Sequence, residues 1–167
     1  MEGNGMIPAD VDMAALEAQL RDDGIAFGTA NPANEALEVH LQSASAVSEG
    51  AILQNAGIVV LEMTPEQPAD LRDIAHDLAD ATGRDPVIVR TPQASGAVSE
   101  TLTRHQVESA QRAMMAQPDY GEGLQAFASV ASGGVTAWPL FFAAAVASVV
   151  VVAGATAALV KRWNLTI

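Results

Sequence analysis

The chain has 167 residues, with 20 acidic against 8 basic side chains, and it contains no cysteine. The missing cysteine excludes disulfides, thiolate metal sites and cysteine nucleophiles. A net charge of −12 repels phosphate backbones and argues against a nucleic-acid partner.

The charge is unevenly placed. Every acidic residue precedes position 123, and six arginines against twenty carboxylates leave the first 136 residues at −14. That part has no lysine, a compositional bias typical of high-GC bacterial genomes. It is long enough for one domain with a real core. Its acidity also repels anionic headgroups, so the domain is expected to stand off any membrane it is tied to.

Residues 1–9 read as a flexible lead, and an acidic α/β domain is expected over 10–131. The N-terminus has neither a basic n-region nor an apolar h-region, which predicts no secretory signal peptide and leaves insertion to the C-terminal segment. Asp10 or Asp12 can cap a helix to about Arg21, with Met13, Leu16 and Leu20 on one face and Gly24 as its stop. Residues 24–28 suit a short strand. Helical spacing then runs from Ala33 to about Gln54 through Leu37, Leu41, Ala44, Val47 and Ala51, with Gly50 able to split it.

The centre is more regular. Gly57-Ile-Val-Val-Leu-Glu-Met63 is a β-branched apolar run and predicts a buried strand. A helix opens near Thr64-Pro-Glu-Gln-Pro68, capped by Thr64 or Gln67, carries Leu71, Ile74, Ala75, Leu78 and Ala81 inward, and stops at Gly83. Residues 86–91 form a second buried strand, and the three elements predict a right-handed parallel βαβ unit. Residues 97–102 suit a third or edge strand. Thr103 and Gln106 have capping-box spacing before a helix carrying Val107, Ala110 and Met114, which Pro118 ends. Gly121-Glu-Gly123 reads as a helix-linking turn, Leu124, Phe127 and Val130 follow at helical spacing, and 132–136 read as a hinge.

From Ala137 to Val160 there are 24 residues without a charge. About 20 apolar residues at about 1.5 Å each cross a hydrocarbon core of about 30 Å, so this run predicts a single transmembrane helix. Trp138 and Trp163 are placed to mark the two interfaces, and Lys161 and Arg162 begin a short basic tail, 161–167. Gly154 with Ala158, and Ala144 with Ser148, have the small-residue spacing that permits weak self-association of such helices. The basic tail places the C-terminus in the cytoplasm and the domain outside. A span so close to the C-terminus argues for the reverse, as in tail-anchored proteins.

Candidate chemistry is sparse. Asp70, Asp73, Asp77 and Asp80 lie 3, 4 and 3 residues apart, along one stripe of the central helix. They are the candidate metal ligands, for a weak divalent-cation patch. A straight ridge does not converge on an ion, which favours a solvated face. His76 shares that helix on the side away from the core. His40, His76 and His105 have no ligand spacing. No Gly-x-Ser-x-Gly and no phosphate-loop motif occurs.

The run Gly57–Gln111, including Val87-Ile-Val-Arg-Thr-Pro92 and Gly96-Ala-Val-Ser-Glu-Thr-Leu-Thr-Arg-His-Gln-Val-Glu-Ser-Ala-Gln111, resembles small single-pass membrane proteins of actinobacteria. Its order of strand, aspartate-bearing helix, strand and capped helix looks like a reduced TPM-type α/β domain. It lacks the glycine-rich turn that usually precedes the second strand in TPM domains. The resemblance implies a module held beside a membrane, and envelope biology.

The sequence thus predicts an α/β fold, with a small parallel or mixed sheet flanked by helices, plus one C-terminal transmembrane helix. The expected role is a non-catalytic, membrane-tethered interaction or accessory module of the bacterial cell envelope. The alternative is a TPM-like phosphatase or divalent-cation-dependent hydrolase. A membrane and a protein partner are expected; a cofactor and a nucleic acid are not.

Overall fold

The computed structural model describes residues 11–48 and 51–133. The chain divides into two units, Met1–Ser132 and Gly133–Ile167. The predicted lead, Gly50, the span 137–160 with Trp138, and the flanking Lys161, Arg162 and Trp163 lie outside the described residues. Among the described residues no helix is long and apolar enough to cross a membrane.

Four strands form one mixed sheet in the order β1-β2-β3-β4: β1 Ile25–Phe27, β2 Gly57–Val60, β3 Val87–Arg90 and β4 Ser95–Val98. The first three are parallel, and β4 runs antiparallel to β3. Among the described residues five α-helices accompany the sheet: α1 Met13–Asp22, α2 Asn34–Val47, α3 Asp70–Thr82, α4 Arg104–Met115 and α5 Tyr120–Gly133.

Strand alternation splits the core in two. Ile25, Ile58, Ile88 and Ala97 share one row of the register and face α2, α4 and α5, joining Leu41, Val107, Met114, Leu124 and Phe127. Ala26, Val59 and Val89 face the other way and join Leu16, Leu20, Leu71, Ile74 and Leu78 of α1 and α3. Sheet burial on both faces explains why β2 and β3 read as unbroken apolar runs. The predicted parallel β2-α3-β3 connection is present. Both parallel connections step the same way across the sheet, yet α2 and α3 lie on opposite faces. The two crossovers therefore have opposite hands, and one departs from the right-handed rule.

Local signals set most helix ends. The Asp12 side chain accepts from the Ala15 N–H at 3.1 Å and caps α1. Gly83 (φ 69°) ends α3 in the left-handed conformation. Thr103 and Gln106 form the capping box of α4.

Several expectations are corrected. α3 begins at Asp70, without a side-chain cap: Thr64 lies too far back, its hydroxyl donating to Thr91 Oγ1 at 2.8 Å, and the Asp70 N–H is met by the Gln67 backbone carbonyl at 3.0 Å. α2 stops at Val47, so Val47 (72% exposed) and Ala51 turn outward and Leu53 fills the core from a 3₁₀ turn at Ala51–Leu53. Ala81 and Val130 are exposed. On α5 the inward face is Leu124, Phe127, Ala128 and Ala131. α5 also runs through Ser132 and Gly133, the start of the expected hinge, and Ser132 Oγ donates to the Ala128 carbonyl at 2.7 Å.

Candidate functional site

Three places on the described domain bring polar groups together. The first lies where α/β sheets usually hold ligands, beyond the C-terminal ends of the parallel strands. A cleft of about 450 Å³ is lined there by Gly28, Thr29, Leu61, Glu62, Thr64 and Asp70, among others. Glu62 accepts a hydrogen bond from Asn31 Nδ2 at 2.8 Å, and this bond, then one from Thr29, holds its carboxyl below the usual range. Beneath it Thr91, fully buried, organises the β3-β4 turn. Its hydroxyl accepts from the Ala94 N–H at 2.9 Å and donates to the Ala94 carbonyl at 3.0 Å.

The second is built around Arg90, which is 6% exposed. Its guanidinium donates to the carbonyls of Gln117 (2.6 Å) and Asp119 (3.3 Å) and lies 4.2 Å from the centre of the Tyr120 ring. Burial lowers its affinity for the proton, and Tyr120 and Asp119 push back, so the cation stays charged. Asp119 caps α5 by accepting from the Glu122 N–H at 2.9 Å, and it also pairs with His40 Nε2 at 2.9 Å. The His40 bond, then the Glu122 bond, lowers the Asp119 pKa. Gly121 and Gly123 stand in the first turns of α5, not in the expected turn between helices. A Cβ at Gly121 would meet the His40 ring, and one at Gly123 the Arg90 guanidinium. Glycine in a helix costs up to about 1 kcal/mol, and here it admits two side chains to the α4-α5 junction. This cluster fixes a corner of the fold.

The third is an open groove of about 1010 Å³ beside β4. One wall is α3, through Arg72, Asp73, His76 and Asp80; the other is α4, through Arg104, Val107, Glu108 and Gln111. The β4 backbone forms its floor. Asp85 closes one end by accepting from the N–H groups of Glu100 and Thr101 at 3.1 and 3.2 Å. Burial raises the Asp85 pKa, but these bonds, with those from the Ser99 and Thr101 side chains, leave it net lowered.

The four aspartates of the sequence stripe are divided by these surfaces. Asp70 faces the cleft, Asp73 and Asp80 face the groove, and Asp77 is exposed on the helix between them. Among the described residues no group of three or more His, Asp or Glu gathers closely enough to hold a metal ion. His76 lies 3.9 Å from Asp80, both well exposed. Sequence reasoning missed Arg90, His40, Asp119 and Tyr120 as a cluster. The available signal was a lone arginine ending a strand otherwise apolar throughout.

The sheet, with helices on both faces, defines an α/β domain, carried on a chain that also holds a 24-residue uncharged run. The chain belongs to the family described as Membrane protein Rv1476, which matches residues 6–165. No curated protein matches it. Among solved structures it is similar to the N-terminal domain of the cg2496 protein from Corynebacterium glutamicum, determined by solution NMR. The two are 20% identical over 70% of this chain and 82% of that one, with a TM-score of 0.46.

Proposed function

We infer that this membrane protein is a tethered α/β interaction module of the bacterial cell envelope, anchored by residues 137–160. The observation that carries this reading is the uncharged run of 24 residues, closed by Lys161 and Arg162, that follows an acidic domain. The open groove beside β4 gives the domain a surface on which a protein can dock. The flanking charges favour the domain outside and the tail in the cytoplasm. Carbonate washing of membranes tests the anchor: the full-length chain is expected in the pellet, and its recovery in the supernatant overturns the reading. Sidedness is read from Ala36→Cys, an exposed position in a chain without native cysteine. Labelling of intact cells by an impermeant maleimide supports an external domain, and labelling only after lysis overturns it.

A second reading, a TPM-like phosphatase or divalent-cation-dependent hydrolase, is favoured by one observation. Glu62, Glu66 and Asp70 line the cleft at the C-terminal strand ends, where such chemistry is placed in α/β folds, although among the described residues they do not gather as an ion-holding group. Calorimetric titration with magnesium or calcium tests it. Saturable binding lost in Asp70→Asn supports this reading, and no heat of binding removes it.

A further inference from the structure

The edge of β4 is unfinished. Thr91 N–H donates to the Ala94 carbonyl at 2.9 Å, and with the observed register this makes Val89–Gly96 and Val87–Val98 the hydrogen-bonded pairs. Gly96 and Val98 therefore spend their backbone groups on β3, and Ser95 and Ala97 turn theirs away from the sheet. Gln111 Nε2 meets the Ser95 carbonyl at 3.0 Å. Among the described residues nothing meets the Ser95 N–H or the N–H and carbonyl of Ala97. Ala97 is only 4% exposed, so its unpaired groups have little water in compensation. They lie on the floor of the groove between α3 and α4.

An unpaired strand edge at the floor of a groove is completed by another extended backbone. The groove also specifies side chains. A strand laid against β4 alternates between its walls. On one side it meets Val107 and the partly buried Leu102; on the other it meets Asp73 and Asp80 of α3. Arg72 on the same wall is drawn electrostatically to Glu108 across the groove, and Glu108 is already paired with Arg104 at 2.7 Å. Asp73 has no such partner among the described residues, and Asp80 has only the distant His76. A second copy of this chain would bring another domain at −14 against the same acidic wall, which repulsion opposes.

We propose that the β4 edge is a docking site for an extended segment of a partner protein, in which apolar residues alternate with lysine or arginine. The segment adds a fifth strand, pairs with the backbone of Ser95 and Ala97, and sets its cations against Asp73 and Asp80. This deepens the interaction-module reading and rests on it.

The test uses the full-length chain in detergent micelles and a fluorescent ten-residue peptide alternating lysine and valine. Saturable binding is expected, together with at least tenfold slower hydrogen exchange at the Ala97 N–H. A peptide of the same sequence, N-methylated on the pairing edge, is expected to bind at least tenfold more weakly, as is a glutamate-valine peptide. The double variant Asp73→Arg/Asp80→Arg changes only exposed side chains and is expected to reverse the preference between the two charged peptides. Binding indifferent to N-methylation, or no binding at all, overturns the proposal. Concentration-dependent dimers that protect Ala97 without peptide also overturn it, in favour of a second copy. A co-purifying protein that leaves Ala97 exchange unchanged overturns this site but leaves the tethered module standing.

Discussion

The two edges of the sheet solve the same problem differently. At β1, Ile58 N–H bonds to the Gly24 carbonyl and Gly28 N–H to the Val60 carbonyl, so Ile25 and Phe27 face outward. Asp23 accepts from the Ile25 N–H at 2.9 Å. The Gln19 amide accepts from the Phe27 N–H at 3.0 Å and donates to its carbonyl at 3.2 Å. Three of the four outward groups are thus met by side chains; at β4 only one of four is met, by Gln111. A primary amide presents a donor and an acceptor side by side, so one glutamine can imitate a passing strand. The contrast shows that this fold can shield an edge with side chains alone, and that β4 carries no equivalent shield.

Charging the common core is expected to erase both edges together. Val59→Asp or Ile88→Asp buries an unpaired carboxylate, at a cost of several kcal/mol against a total stability of about 5–15. Loss of the cooperative thermal transition by circular dichroism checks it. Next comes a strain at the open edge. A Cβ at Gly96 would stand 2.5–2.7 Å from the backbone of Leu71 and Arg72. Gly96→Ala should therefore lift α3 from β4, at about 1–3 kcal/mol by urea denaturation.

Opening the closed edge is the sharper experiment. Gln19→Leu leaves the Phe27 N–H and carbonyl unmet, which costs about 1–3 kcal/mol. At high ionic strength, where the repulsion between acidic domains is screened, it should also raise self-association in sedimentation velocity, because a bare edge templates pairing. Unchanged sedimentation would mean that the glutamine is packing and not protection.

Smaller still is Asp85, at the groove end. Its folded pKa is lowered, so its contribution is present above the unfolded carboxylate pKa and is lost as pH falls through the folded value. Asp85→Asn should flatten stability against pH on the acid side, by less than about 1 kcal/mol given its partial exposure. Asp77→Asn, on a bare helix surface, is expected to stay within about 0.5 kcal/mol. A larger loss that appears only with magnesium or calcium present would restore the cation patch.

Legibility followed burial and local chemistry. Leu16, Leu20, Leu71, Ile74, Leu78, Val107 and Met114 were readable because helical period alone places them inward. The α4 capping box was readable because both partners lie within three residues. Gly121 and Gly123 misled, since a local rule sees helix breakers where the reason for them is His40 and Arg90, far off in sequence. Likewise nothing near Gln19 announces that its amide serves Phe27. Asp70, Asp73 and Asp80 were visible as a stripe, but only folding shows that they serve different surfaces.

Arg90 and the inward face of α5 also set how the domain meets mechanical load. Tension arriving along the chain beyond Gly133 enters at the C-terminal end of α5, where the anchoring side chains, Ala131 and Ala128, are small. Phe127 and Leu124 come next, and the Arg90 clamp on Gln117, Asp119 and Tyr120 comes last. Pulled from that end, α5 is expected to lose the Gln106 Nε2 bond to the Ala131 carbonyl (3.1 Å) and its small contacts first, and the Arg90 contacts last. Unwinding its 14 residues from about 1.5 to about 3.4 Å each releases about 27 Å of slack. α5 is thus expected to yield under load up to the point where Arg90 holds Gln117, Asp119 and Tyr120.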